Sequence, residues 1–313
     1  MTPSIETLER STMVAPLGLR FHDTASGEFI RDGLNVSVYP TNKSESRVQA
    51  IANRSGVYVL HHAPGLRTLE SGVGDQNYWD NLPPRKDFVI EVSDEQQRFQ
   101  PFRFTEQLPI RGIYQWVSPL STSPPSSRSS IPLYSAPTRS VPGGMASIRA
   151  DLWDKQRERP APWAVLEGYL DDELVVRGIA DNAGKVALIF PYPAPQSFAL
   201  NSPPSAVVSS PPAPSGPPLA MQEWPLRLRA FYAPDGQTPS PPVSFETKPV
   251  SPDLRFTLSQ PEATIWANAD ATQPLTEVSV RYGRETILRS TSTTSPPSSR
   301  SSVLFITAAV SPP

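Results

Sequence analysis

Cysteine is absent from this chain of 313 residues. Without it there is no disulfide framework, no thiolate metal centre and no cysteine nucleophile. Histidine is almost as scarce, with only His22, His61 and His62. On a strand the adjacent pair points to opposite faces, so the two rings cannot share one ion without a kink. No G-x-S-x-G elbow, H-E-x-x-H helix or glycine-rich phosphate loop occurs. Asp171, Asp172 and Glu173 are neighbours, but a calcium site gathers about six to eight oxygens from a longer loop, and a solvated hairpin turn accounts for them. No catalytic, cofactor-binding or metal-binding residue stands out, and the chain reads as non-enzymatic and free of cofactors.

Long apolar runs are also missing. Nothing approaches the ~20 residues needed to cross a bilayer, and the first residues carry Glu6 and Glu9 in place of the apolar centre of a secretory leader. A net charge of −2 supplies no broad basic field, which disfavours generic nucleic-acid binding. These features lead to the expectation of a cytoplasmic protein with no direct membrane span and no nucleic-acid partner.

Proline is what the chain has in excess, 39 residues against 16 glycines, roughly two and a half times the usual share of about 5%. That density excludes long helices as the main element. Between the prolines, apolar residues alternate with polar ones. In residues 177–193, Asp181, Asn182, Ala183 and Gly184 form a polar turn; Val186, Leu188 and Phe190 then share one strand face, and Pro191 and Pro193 end the ladder. Residues 51–64 repeat the pattern: Asn53 to Gly56 make the turn, and Tyr58 and Leu60 stand where Val186 and Leu188 do.

The correspondence extends along the chain. Leu17, Leu19 and Phe21 answer to Ile148, Ala150 and Leu152, and Asp23 to Asp154. Leu34, Val36 and Val38 mark a strand matched by one in residues 162–170. Phe88, Ile90 and Val92 answer to Leu226, Leu228 and Ala230, and Phe102 and Phe104 to Val243 and Phe245. Short strands separated by turn signals predict β-sandwiches. The fold class is therefore all-β, two tandem β-sandwich domains with a β-rich C-terminal extension. The expected boundaries are an arm at 1–13, sandwiches at 14–118 and 140–250, a Ser/Pro-rich linker at 119–139 and the extension at 251–313. Nine residues, TSPPSSRSS, occur identically at 122–130 and 294–302, and both copies are expected to be extended and solvated.

The motif G-x-A-D-x-x-G-x-V-x-L-x-F-P at residues 178–191, with its counterpart at 50–64, resembles the carboxypeptidase regulatory-like, or prealbumin-like, β-sandwich. Such modules brace, connect or bind. A narrower resemblance rests on the duplicated layout, on the phrase WAVLEGYL at 163–170 followed by RGIAD and FPYP, and on the run PLTEVSVRYGRETILR at 274–289. These are similar to accessory proteins of bacterial contractile injection systems, the phage-tail-like particles. The resemblance implies a structural component at the baseplate periphery, like the crown of thylakoid-anchored systems in cyanobacteria. It would be present in multiple copies, contact other baseplate subunits, and reach a membrane only through the particle.

Two groups of residues are candidates for partner contact. Tyr78 and Trp79 lie in the long loop at 63–86, where they either form a binding platform or fold back to plug the sandwich end. Val303, Leu304, Phe305 and Ile306 belong to a tail strand that is apolar on both faces and needs cover, either in the second sandwich or in a neighbouring subunit. A carbohydrate- or surface-binding adhesin is the alternative function.

Overall fold

The computed structural model describes residues 11–66, 69–71, 79–80, 84–119, 130–194, 221–235, 251–289 and 303–308. The chain is all-β apart from one short described helix, and it divides into two compact units. Unit 1 takes residues 1–134 and 235–260; unit 2 takes 135–234 and 261–313.

Unit 1 begins with β1 (Ser11–Met13), β2 (Leu17–Leu19), β3 (Phe21–Asp23) and β4 (Phe29–Ile30). β5 (Leu34–Pro40), β6 (Val48–Gln49), β7 (Ile51–Ala52), β8 (Tyr58–Leu60) and β9 (Leu69–Ser71) follow. β10 (Lys86–Asp94), β11 (Phe102–Leu108) and β12 (Ile131–Leu133) complete it. One sheet has the order β11-β10-β5-β6; smaller sheets β2-β8-β7 and β12-β3-β4 share the nearly continuous segment β2–β3. Alternation decides what is buried: Val36, Val38, Phe88, Ile90, Phe104, Leu17, Leu19 and Leu60 have 1% exposure or less.

Unit 2 consists of β13 (Met145–Asp154), β14 (Arg159–Pro160), β15 (Val165–Leu170), β16 (Glu173–Ile179) and β17 (Lys185–Pro191). β18 (Glu223–Phe231), β19 (Glu262–Trp266), β20 (Glu277–Arg281), β21 (Glu285–Leu288) and β22 (Leu304–Ala308) finish it. Its main path is β14-β13-β22-β19-β18-β15-β16, with β17 and β21 on β13 and β20 on β18.

Pairing registers align the copies residue by residue. Leu17 faces Leu60 as Ile148 faces Leu188. Val36 faces Val92 as Leu166 faces Ala230. The turns agree atom for atom. Asn53 Oδ1 accepts from the Ser55 and Val57 amides, and Asp181 Oδ1 from those of Ala183 and Lys185. Asp23 and Asp154 likewise each accept a backbone N–H two residues on.

The second copy closes later than the sequence suggests. Val243 and Phe245 lie outside the described residues. The place of β11 beside β10 is taken in unit 2 by β20 beside β18, with Glu106 on Phe88 matching Val278 on Leu226. The TSPPSSRSS copies then fall at equivalent points and lead into equivalent strands. Ile131 pairs in parallel with Phe21, and Leu304 with Leu152. Residues 120–129 and 290–302 are outside the described residues, but the Ser130 hydroxyl is buried against His22 Nδ1 at 2.9 Å. Ile131–Leu133, assigned by composition to the linker, is thus a closing strand, because its apolar residues have a place beside β3.

The run 254–258 also departs from expectation. Its L-x-F-x-L alternation suggests a strand, yet Leu254–Leu258 is helix α1. Asp253 caps it, accepting from the Phe256 amide at 3.0 Å, and an N-cap aspartate outweighs alternation over so few residues. α1 packs on β11 within unit 1, where Arg255 bonds Glu106 and Tyr114 at 2.6 Å each.

Candidate functional site

Outward-facing residues of unit 1 enclose an open cleft of about 620 Å³ beside β2. Gly18 lies at its floor. A Cβ there would stand 3.2 Å from the Gly112 carbonyl oxygen and 3.4 Å from Val57 Cγ1, so a larger residue would make these neighbours give by a few tenths of an ångström. That segment is held by the Tyr114 amide donating to the Gly18 carbonyl at 2.8 Å. Val14, Val59 and Ile113 add apolar lining; Arg20, Arg111 and Trp79 supply the polar and aromatic groups. The Arg20 guanidinium stacks over Phe29 at 5.2 Å, and that of Arg111 lies 6.0 Å from the Trp79 ring centre. These are cation–π distances.

Trp79 is therefore half-buried at a cleft. Tyr78 lies outside the described residues. The tail strand has a different fate from the one proposed for a partner-binding edge. Leu304 and Ile306 are at 1% and 0% exposure, Phe305 is at 7%, and Val303 is half-buried. β22 is hydrogen-bonded to β13 on one side and β19 on the other. Both edges are consumed within unit 2, which was one of the two covers the sequence allowed.

Gly18, Arg20 and Arg111 carry no motif, and sequence reasoning passed over them. The usable signal is divergence between the copies. By register Gly18 answers to Arg149 and Ile113 to Ile287, so Arg111 answers to Glu285 and Arg20 to Asp151. In unit 2 Arg149 bonds Glu285 at 2.5 Å and the Arg139 carbonyl at 2.6 Å, while Asp151 stands 3.8 Å from Lys185. A smaller opening of about 460 Å³ remains there, beside Tyr192 and Tyr282.

Other polar clusters in unit 2 satisfy themselves. Buried Glu167 accepts from Arg177 and from the Tyr169 hydroxyl, and Arg229 forms two 2.8 Å bonds to Glu262. Burial and then Glu167 push the Tyr169 phenol above its ordinary value, and the Arg229 hydrogen bond holds the Glu262 carboxyl below its own. Among the described residues no group of three or more His, Asp or Glu side chains is arranged to hold a metal ion. Among them, too, no helix is long and apolar enough to cross a membrane.

No protein-family model and no curated protein matches the sequence. Among solved structures, the chain is similar to the Bacillus anthracis TIE protein at 10% identity and a TM-score of 0.21, covering 72% of this chain. It spans only 29% of that protein's length. A candidate adhesin from Bacteroides ovatus matches at 12% identity and a TM-score of 0.15, with 69% of this chain and 78% of the other covered. At such TM-scores these likenesses assign neither fold nor function.

Proposed function

We propose that this chain is a non-enzymatic structural and binding protein, a component at the periphery of a contractile injection system baseplate. The observation that supports this reading is the use made of the duplication. Both copies keep the same turns and the same core strand pairings, with β19 joining the strands of unit 2 into one sheet, and the side chains that differ include those on the outward face beside β2 and β13. One copy spans that face with its own Arg149–Glu285 ion pair beside a smaller opening; the other has a larger cleft lined by apolar, aromatic and arginine side chains. Tryptophan and arginine around an apolar floor are the groups that anchor protein partners.

The test is co-sedimentation of the tagged chain with the assembled particle from its native host. The reading expects it in the particle fraction in several copies, and recovery only as free protein would overturn it. Trp79 beside Asn53 and Ser55 also favours a second reading, a sugar-binding adhesin. That reading expects glycan-array binding that disappears in Trp79→Ala, with no association with a particle.

A further inference from the structure

The geometry of unit 2 points to the opening beside Tyr192 and Tyr282 as a binding site for a neutral saccharide, with the Tyr282 ring as its platform. Such a site lies outside the unit 1 cleft and is independent of the structural role proposed above. Three rings run there from the core to the opening. Trp224 on β18 is 3% exposed, and Tyr192, just after β17, packs on it with ring centres 5.9 Å apart. Tyr282, just after β20, is half-buried and packs on Tyr192 at 4.7 Å. The Tyr192 hydroxyl accepts from the Gly283 amide at 2.9 Å and lies 3.5 Å from the Arg281 carbonyl oxygen, so it fixes the turn that carries Tyr282. Among the described residues no further ring or guanidinium lies against Tyr282, and its hydroxyl has no partner. The other copy closes the same place without a stack. By register Pro64 and Lys86 stand where Tyr192 and Trp224 do. In unit 1 a single hydrogen bond from Lys86 Nζ to the Gly65 carbonyl, at 2.9 Å, links those two segments. Joining them therefore does not require three rings.

The opening holds about 460 Å³, within the range of small-molecule sites. Arg149 and Glu285 line it together with the two tyrosines. Glu285 Oε1 accepts from Arg149 Nε at 2.5 Å, while Oε2 accepts from no described residue. A guanidinium donor beside a free carboxylate oxygen suits neighbouring sugar hydroxyls, which both donate and accept. The tyrosine ring offers its face to the C–H side of the same sugar. A Cβ added at Gly143, Gly144 or Gly283 would meet nothing within 4 Å, so these lining residues leave room for a ligand to approach the backbone. Glu285 neutralises Arg149, so the pair does not select for an anion; exposed Arg284 adds a further donor. A proline-rich peptide also docks on aromatic side chains, but it would cover Glu285 Oε2 without giving it a donor.

Saturation-transfer NMR on the full chain tests this with maltotriose, cellotriose, mannotriose, galactotriose and chitotriose, and with decaproline as the peptide. At least one trisaccharide should receive saturation at its ring C–H protons. Calorimetric titration with that sugar should give binding that changes little as salt is raised. Tyr282→Ala should weaken it roughly tenfold or more, and Glu285→Gln roughly threefold or more. Trp79→Ala, in the unit 1 cleft, should leave it unchanged. Circular dichroism checks that each variant is folded, and the exposed substitution Glu285→Gln keeps the test decisive if Tyr282→Ala is not. No saturation of any trisaccharide, or binding indifferent to both unit 2 substitutions, overturns the proposal. Sugar binding lost in Trp79→Ala but kept in Tyr282→Ala also overturns it and assigns the sugar to the unit 1 cleft. Decaproline binding tighter than any trisaccharide and lost in Tyr282→Ala overturns the saccharide in favour of a proline-rich peptide. Particle association is measured separately, so loss of one result without the other shows which reading has failed.

Discussion

Gly184 and Gly112 have nearly the same left-handed backbone, φ +77° and +78°, but very different room. A Cβ on Gly184 would meet the Leu152 carbonyl oxygen at 2.4 Å, whereas one on Gly112 meets nothing within 4 Å. Gly112→Ala should therefore cost only the left-handed conformation, about 1–2 kcal/mol, and Gly184→Ala distinctly more. Urea titration of both variants checks the order, and equal losses would mean the turn yields freely. Two tyrosines make a second residue-scale prediction. Burial pushes Tyr114 and Tyr232 up to about 12, helped by Glu106 in the first and by the Asp154 charge in the second. An unfolded tyrosine titrates near 10, so the folded state binds its proton more tightly. The stabilisation is complete below about pH 10 and is lost as pH rises toward about 12. The urea midpoint should fall across that window, and Tyr232→Phe should flatten the fall. The turn at Gly184 was legible because glycine and aspartate announce it. The cleft at Gly18 was not, since a glycine inside an apolar strand says nothing until its counterpart in the other copy is known to be Arg149.

At the scale of elements, alternation served well wherever one face is buried. Val186, Leu188 and Phe190 point inward as their spacing requires, all at 2% exposure or less. Leu188→Ala should cost roughly 2–5 kcal/mol as a fully buried large-to-small change; a loss below about 1 kcal/mol on urea titration would mean the site collapses around the gap. Alternation failed at α1, where the capping aspartate carried the information and the run was too short for either period to win. It also failed at Ile131–Leu133, hidden by the serine and proline around it. The identical nine-residue repeat was the better guide there. It leads into β12 in one copy and β22 in the other, each parallel to the equivalent strand. Placing the second copy's last strands at 243 and 245 broke that spacing; β20 restores it, because position in the duplication constrains pairing more than the nearest apolar pair does.

For the molecule as a whole, the tail is divided between the units, and this changes what a truncation should do. The first ten residues of the tail, 251–260, belong to unit 1, where Arg103 donates its amide to the Pro252 carbonyl at 2.8 Å and α1 packs on β11. Arg255 there lies 5.7 Å from the Trp116 ring and bonds Tyr114, so it ties α1 to the segment flanking the cleft. Residues 261–313 contribute β19 to β22 to unit 2. Without them β13 loses its parallel partners and β18 loses both β19 and β20, exposing Leu226, Leu228 and Ile148 of the unit 2 core. Ending the chain after 260 should therefore abolish folding of unit 2 and leave unit 1 intact. Calorimetry should lose the transition of unit 2 and keep that of unit 1 near its original temperature. Ending it after 250 should also weaken unit 1, lowering the remaining transition by a few degrees, since removing a contact worth about 1 kcal/mol shifts a domain of this size by roughly 2–4 °C. Identical transitions for the two truncations would show that α1 contributes nothing to unit 1. A surviving unit 2 transition after truncation at 260 would show that β13 to β18 already make a self-sufficient core.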